Sequence, residues 1–413
     1  MKNQVENRDN SFLWFDMEGL KASQIETIYM DNAATTYQKP ECVFRAMDEV
    51  NRCLSVNAGR GSYQLAQIAV DGIDKLRDEI LNLINGRNQA EVVFTSSATV
   101  AFNQIIGGLT LCSQDRVYVS PFEHNAVMRT LKLWQDKCGF TMEILPMDVE
   151  KMQIDLEKTE YVFRQKPPTH VFVTRVSNVT GYILPTEEIS RLAKELTNGR
   201  ALVIVDGAQS FGLIQEDYQR TKYDAFVFAG HKTLYGPFGI AGFIKGKQLK
   251  LHPFLAGGTG SASLELVMPQ NIHGLEPSSP NIVAMAGLYA AVQFIKRETI
   301  EAIYQHEKRL TKQLVKELKN ISGVKLYIPQ ESDNHIGIVS FSMEDYRSDE
   351  VGMILDEDYH IAVRTGYHCA PLIHDYIKSK EYGGTVRVSL SYFSRQEEVE
   401  RLSEAVKRIA WEE

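Results

Sequence analysis

Two charged residues, a lysine and an aspartate, each come directly after an apolar segment, at positions suited to a catalytic side chain. Lys232 lies in the run Ala229–Pro237, directly after Tyr223–Phe228, whose short aromatic-rich pattern predicts a buried strand. A lysine at that position can lose its hydration, lower its pKa and act as a nucleophilic amine. Asp206 ends the earlier apolar run Val203–Val205. A carboxylate at the carboxyl end of a buried parallel strand points into the crevice where α/β sheets bind ligands.

Together, this lysine and this aspartate suggest pyridoxal phosphate as a cofactor. The lysine would form a Schiff base with the aldehyde, and the aspartate would keep the pyridine nitrogen protonated, so that the ring acts as an electron sink. Either residue alone is weak support, because a lone lysine in a loop is usually a surface residue. The pair in this order favours the cofactor.

The same segments resemble the class V aminotransferase family of pyridoxal-phosphate enzymes and, within it, the cysteine desulfurases. The resemblance runs from about Tyr29 to the C-terminus and includes Met30–Thr36 and Arg364–Ala370. The context of Cys369 is most similar to the group II (Suf-type) branch, although the glycine-rich loop Asn57–Tyr63 lacks the histidines that this branch often carries. The resemblance implies a fold type I enzyme, with a large domain around a mostly parallel seven-stranded sheet and a smaller C-terminal α/β domain.

A phosphate site is predicted where the strand Glu91–Thr95 leads into a helix through small hydroxyl residues. Free N–H groups and the helix dipole favour an anion at such a helix start, although a plain serine or threonine cap would look the same. The resemblance favours cofactor phosphate on Ala98 and Thr99. It also implies that Ser279 reaches the phosphate of the other subunit of a homodimer with a shared active site; the alternative for Ser279 is another helix cap.

Other predicted contacts surround the ring and the substrate. The resemblance implies that His124 stacks on the pyridine ring and takes part in proton transfer, whereas a lone histidine is more often structural. The amides of Asn178 and Gln209 can bond the phenolic oxygen of the cofactor, and His231 is expected beside Lys232 in the cofactor site.

The substrate carboxylate is expected on Arg387, which can bind it bidentately unless it forms a structural ion pair. Asn178 is also assigned to the substrate, and the loop with Ala33 is expected beside it, although a plain turn would fit that loop.

Cys369 is the predicted second chemical centre. Its thiolate, not its thiol, would attack, so nearby positive charge from Arg364 and His368 would help. An isolated cysteine would more often be a small buried apolar residue. Here the neighbouring Gly366 and Pro371 indicate an exposed loop.

Composition limits the remaining possibilities. The 413 residues suffice for two domains, and a net charge of −8 argues against general nucleic-acid binding. No apolar run is long enough to span a membrane, and residues 1–27 do not resemble a secretory signal, so a cytoplasmic protein is expected. The five cysteines are scattered without CxxC spacing, which predicts neither a disulfide framework nor a metal site.

Strands that alternate with helices predict a largely parallel sheet. The expected organisation is an N-terminal arm over 1–28, a large cofactor-binding domain over 29–295 and a small domain over 296–413, to which the N-terminal segment also contributes. A long helical stretch is expected from Ala284 to about Asn320.

The resulting hypothesis is a cysteine desulfurase that converts L-cysteine to L-alanine and leaves a persulfide on Cys369 for a sulfur-acceptor protein, in iron–sulfur cluster assembly or another thiolation. The alternatives are a selenocysteine lyase, another class V lyase or aminotransferase, and a catalytically silent binding partner. The intact Lys232, Asp206 and Cys369 argue against the last of these.

Overall fold

A mostly parallel sheet forms the centre of the larger part of the molecule. The computed structural model describes residues 27–58, 61–221, 223–260 and 264–411. Within these ranges a seven-stranded sheet has the order β2-β10-β9-β8-β7-β3-β4, and only β10 runs antiparallel to its neighbours. The strands are β2 (Ala90–Thr95), β3 (Arg116–Val119), β4 (Thr141–Ile144), β7 (His170–Thr174), β8 (Leu202–Asp206), β9 (Ala225–Ala229) and β10 (Ala241–Gly246). The predicted fold class is therefore confirmed.

Helices flank this sheet and continue into the C-terminal part. They are α1 (Glu41–Cys53), α2 (Gln64–Leu83), α3 (Ala98–Gly108), α4 (Asn125–Cys138), α5 (Leu156–Gln165), α6 (Thr186–Leu196), α7 (Tyr218–Thr221), α8 (Ile272–Leu275), α9 (Ile282–Glu298), α10 (Ile300–Lys319), α11 (Ser348–Glu357), α12 (Ile373–Tyr376) and α13 (Gln396–Ile409). Short 3-10 turns occur at Ser332–Asn334 and Lys380–Tyr382.

The central strands explain why the sheet is parallel. Every residue of β7 and β9 is buried, and so are the last four of β8. Strands buried on both faces read as continuous apolar runs and need helices on each side, which crossover connections supply. Because β7, β8 and β9 run in the same direction, their carboxyl ends meet at one edge of the sheet. That edge carries Asp206 and leads directly to Lys232.

A second, antiparallel sheet forms the C-terminal part, with the order β11-β12-β15-β14. Its strands are β11 (Val324–Tyr327), β12 (Ile338–Met343), β14 (Arg364–Gly366) and β15 (Thr385–Ser389). Outside it, β1 (Ile28–Tyr29) pairs in parallel with β13 (Ile361–Ala362), while β5 (Met147–Asp148) pairs with β6 (Gln153–Ile154). The start of the described chain thus pairs with the C-terminal part. The predicted division into an arm and two domains, with a boundary near residue 296, stays a prediction. The arm over 1–28 lies almost wholly outside the described residues.

The helical stretch expected from Ala284 to about Asn320 consists of two helices, because the chain breaks at Thr299. This residue has φ = 71°, in the left-handed region, and its side chain accepts the backbone N–H of Ala302. Threonine favours helix N-caps over helix interiors for this reason, so α9 ends and α10 begins at this point.

Among the helices of the described residues, none combines the length and the apolar character needed to cross a membrane.

Candidate active site

A cavity of about 220 Å³ lies at the carboxyl ends of β7, β8 and β9. It brings together ten of the predicted site residues: Ala33, Ala98, Thr99, His124, Asn178, Asp206, Gln209, His231, Lys232 and Arg387. Arg364 and His368, which the sequence suggested only as neighbours of the cysteine, also line it. Residues from eight separate segments therefore converge on one concave site.

Lys232 lies against this cavity in a tight turn that follows β9. Its carbonyl accepts the N–H of Tyr235 at 2.8 Å and the hydroxyl of Thr36 at 2.8 Å. Burial lowers the pKa of Lys232 to about 8, with help from the cations Arg387 and Arg364, while Asp206 opposes the shift. A substantial fraction of the amine is consequently neutral near pH 8, which a nucleophilic lysine requires.

Asp206 lies at the end of β8 with one oxygen committed to the protein. Its Oδ1 accepts the N–H of Ala208 at 2.9 Å, and burial raises the pKa of the carboxyl despite the nearby Lys232. None of the ion pairs found among the described residues includes this aspartate. A buried carboxylate of this kind fits a protonated pyridine nitrogen, which would supply the missing cation.

His124 and His231, two of the three histidines that line the cavity, are neutral. Burial, followed by Lys232, lowers the pKa of His124 to about 3 and that of His231 to about 4. His124 Nδ1 accepts the N–H of Ala126 at 3.0 Å and so caps α4, which leaves the proton on Nε2. The structural and functional interpretations of His124 are thus compatible: the neutral ring can stack on an aromatic cofactor and donate from Nε2. The imidazole of His231 stacks on Phe238 with centroids 4.7 Å apart.

The start of α3 forms one end of the cavity. Ser97 is the N-cap, and its hydroxyl accepts the N–H of Val100 at 3.2 Å. The N–H groups of Ala98 and Thr99, in the first turn, have no intrahelical acceptor, and both residues line the cavity. Capping by Ser97 and anion binding by the next two residues can therefore coexist.

The amide side chains tie the cavity walls together. Gln209 Nε2 donates to the carbonyl of Ala33 at 2.8 Å, and Asn178 Nδ2 donates to the carbonyl of His368 at 2.6 Å. Each amide nitrogen has a second hydrogen for a cofactor oxygen. The carbonyl of Asn178 accepts Arg387 Nη1 at 3.0 Å. Asn178 thus connects the predicted carboxylate anchor with the cysteine loop.

Cys369 lies beside the cavity and is half-buried. Arg364 Nη2 lies 3.4 Å from its Sγ, as a charge-stabilising partner for a thiolate should. His368 does not supply a second cation, because burial, then Arg387, lowers its pKa well below the usual range. Its Nε2 instead lies 2.8 Å from the hydroxyl of Thr385. Residues 368 and 369 both have left-handed backbone, with φ of 48° and 58°, and these contacts hold that conformation.

Ser279 does not reach the Lys232 cavity within one chain. It lines a separate, larger cavity of about 550 Å³, and its hydroxyl accepts Asn57 Nδ2 at 3.0 Å. A role toward the phosphate of another subunit stays a prediction.

Sequence reasoning missed a buried carboxyl that packs behind the catalytic turn. Glu307, on α10, accepts the hydroxyl of Tyr235 at 3.3 Å, and Tyr235 in turn binds the carbonyl of Lys232. Helical periodicity did not reveal it, because a glutamate in an amphipathic helix is normally solvated. Burial raises the pKa of Glu307 to about 8.

The raised pKa of Glu307 predicts a pH-dependent stability difference. The folded protein keeps a proton that the unfolded chain releases near pH 4.5, so the stabilisation is complete in acid and is lost as the pH rises to about 8. As the pH rises from 5 to 9, the free energy of unfolding of Glu307→Gln should therefore increase relative to that of the wild type, by on the order of 3 kcal/mol. Urea unfolding at several pH values measures this difference. Glu301→Gln, at an exposed site on the same helix, is the control; a pH-independent difference for Glu307→Gln would contradict the prediction.

Comparison with known proteins adds an independent line of argument. The chain matches the family profile described as aminotransferase class-V over residues 28–402. It is 31% identical over 394 residues to a probable cysteine desulfurase of Halalkalibacterium halodurans, covering 92% of each chain. A cysteine desulfurase of Escherichia coli O157:H7 is also 31% identical, over 92% of this chain and 93% of that one. The apo structure of a cysteine desulfurase from Thermococcus onnurineus NA1 superposes with a TM-score of 0.86 at 28% identity, covering 94% of this chain and 98% of that one.

Proposed function

The chain belongs to the class V aminotransferase family, and from that premise we propose that it is a pyridoxal-phosphate-dependent cysteine desulfurase. It would convert L-cysteine to L-alanine and retain the sulfur as a persulfide on Cys369. The observation that carries the proposal is the contact between Arg364 and the sulfur of Cys369 beside the cavity that holds Lys232. A general aminotransferase needs the lysine centre, but only sulfur transfer gives a use to a thiol that contacts a guanidinium at its edge.

The residues present fit the cofactor. Lys232 would hold it covalently, Asp206 would pair with its ring nitrogen, His124 would stack on the ring, and Ala98 and Thr99 would take its phosphate. When bound, pyridoxal phosphate supplies an electron sink for the charge released at the substrate Cα. The neutral histidines support this assignment, because they add no positive charge to compete with a protonated ring nitrogen.

The remaining chemistry falls to the side chains of the chain. Arg387 binds the substrate carboxylate, and the amine of Lys232 moves the α-proton. The thiolate of Cys369, stabilised by Arg364, then attacks the substrate sulfur. The new bond joins the two sulfur atoms, the bond between Cβ and sulfur breaks with its electron pair on carbon, and a proton completes the methyl group of alanine.

A protein acceptor would then remove the sulfur from Cys369, whose loop also presents the half-exposed Tyr367. We further propose a homodimer in which Ser279 of one chain completes the phosphate site of the other. The support for the dimer is that Ser279 lines a different cavity from Lys232.

One experiment tests the proposed function directly. Purified protein loaded with pyridoxal phosphate is incubated with L-cysteine, and alanine and protein-bound persulfide are measured together. Equal amounts of both in the first turnover support a desulfurase. Alanine without persulfide would indicate a different lyase, and pyruvate or a keto acid would indicate elimination or transamination.

Removing the charge of Asp206 should slow proton removal without abolishing cofactor binding. In Asp206→Asn the phosphate contacts and Lys232 remain, but the ring nitrogen loses its anionic partner. The activation barrier for exchange of the cysteine α-proton with deuterated solvent should rise by roughly 3 kcal/mol, which slows the exchange by about two orders of magnitude. The measurement is NMR of the Cα–H signal. Exchange at the wild-type rate would assign the carboxylate another role. Asp224→Asn, near the opposite end of β9, is the matched control.

A further inference from the structure

Arg387 forms an ion pair with a carboxylate of the chain itself. Its Nη2 donates to Asp31 Oδ1 at 2.5 Å, and its Nη1 donates to the carbonyl of Asn178. Its side chain is only 1% exposed, and its buried Nε has no hydrogen-bond partner among the described residues. The predicted substrate anchor is thus already paired, but one of its donors is unused.

Asp31 lies on the solvent side of this ion pair. Its side chain is 20% exposed, against 1% for Arg387, so the carboxylate screens the guanidinium from water. The backbone of Asp31 is fixed: a bridge joins it to Ser389, and its carbonyl accepts the hydroxyl of Tyr29. Only the side chain must rotate to expose Arg387.

The local charge leaves room for another anion. Arg364 on β14 and Arg387 on β15 are directly opposite in the strand pairing, so two guanidinium groups lie side by side. Like charges opposite each other destabilise a sheet unless anions compensate them. Asp31 forms an ion pair with Arg387. Arg364 contacts the sulfur of Cys369.

We propose that Asp31 is a placeholder for the substrate carboxylate: it neutralises Arg387 in the resting protein and gives way to the carboxylate of the incoming amino acid. This inference rests on the proposed function insofar as that substrate is L-cysteine. Its physical basis is that an unpaired buried cation is costly, so the resting site needs a counter-ion. Exchange of one carboxylate for another avoids that cost at every turnover, while competition from Asp31 weakens substrate binding. Asp31 would therefore set the KM.

Asp31→Asn separates these effects. The variant should melt several degrees below the wild type, because Arg387 loses its counter-ion. Sodium formate, a small carboxylate, should restore much of that loss relative to sodium chloride at equal ionic strength, and should affect the wild type much less. The KM for L-cysteine should fall about fivefold, since the competing charge is gone. The melting measurements need no activity, so they test the placeholder even if the substrate is another amino acid.

Two further variants complete the experiment. Asp31→Asn combined with Arg387→Gln removes both charges and should abolish the formate response. Asp48→Asn breaks the exposed Asp48–Arg52 pair and should change neither melting nor KM. A formate response in the double variant, no response in Asp31→Asn, or a raised KM in Asp31→Asn would each overturn the proposal.

If Asp31→Asn does not fold alone, refolding with formate or with chloride decides: recovery only with formate supports the placeholder, and any other result contradicts it. A wild-type enzyme that forms no alanine and persulfide would refute the proposed function instead.

Discussion

Replacing Lys232 with alanine should abolish covalent attachment of pyridoxal phosphate and reduce alanine formation on the order of 10³-fold or more. No other residue of the cavity is an amine that could take its place. Weak non-covalent binding should persist, because Asp206 and the first turn of α3 are unchanged. Borohydride reduction of the wild type followed by peptide mapping should place the cofactor on Lys232, and the same treatment of the variant should leave the protein unlabelled.

Lys39 offers a matched control for this experiment. Burial also lowers its pKa to about 8, and its Nζ donates to the carbonyl of Thr36 at 2.8 Å, but it does not line the cavity. Lys39→Ala should therefore retain covalent cofactor. If the label appears on Lys39, a lowered pKa decides attachment and the assignment of Lys232 is wrong.

Replacing Cys369 with serine should separate the two chemical centres. The cofactor absorbance and its change on adding L-cysteine should persist, because Lys232 and Asp206 lie in other segments. Persulfide should disappear, and alanine formation should fall by at least about two orders of magnitude, since a hydroxyl is a poor attacker of a thiol sulfur. Alanine assay and persulfide labelling in a single turnover measure both effects.

Cys138→Ser should behave like the wild type, because Cys138 lies at the opposite end of α4 from His124, about 20 Å along the helix. Selenocysteine should still be processed by Cys369→Ser, because selenium leaves more readily without a thiolate to receive it. Alanine release from cysteine at the wild-type rate in Cys369→Ser would exclude the persulfide route. A lyase or aminotransferase would then replace the desulfurase as the proposed function.

Much of the fold could be read from local patterns. The apolar runs that precede Asp206 and Lys232 predicted buried strands, and the structure has β8 and β9 at these places. The residues that follow these strands, Asp206 and Lys232, were correctly expected at one edge of the sheet, because parallel strands bring their carboxyl ends together. This part of the site depends on strand order and direction, which the alternation of strands and helices already indicates.

Other features depend on contacts between distant segments and could not be read locally. The neutrality of His368 follows from burial against Arg387 and Arg364, although its position beside Cys369 suggested a cation. The break at Thr299 interrupts a continuous helical pattern, since one left-handed residue leaves little trace in periodicity.

The sequence alone predicts Lys232, Asp206, Cys369 and Arg387 as site residues, because each lies in a segment whose residue types suit one chemistry. The tertiary structure decided which charges face one another. Asp31 and Arg387 are far apart in the chain. Only the pairing of the first described residues with the C-terminal strands brings Asp31 Oδ1 to 2.5 Å from Arg387 Nη2. Burial then sets the protonation states, because the free energy of a charge depends on the surrounding solvent and dipoles, which no local pattern specifies.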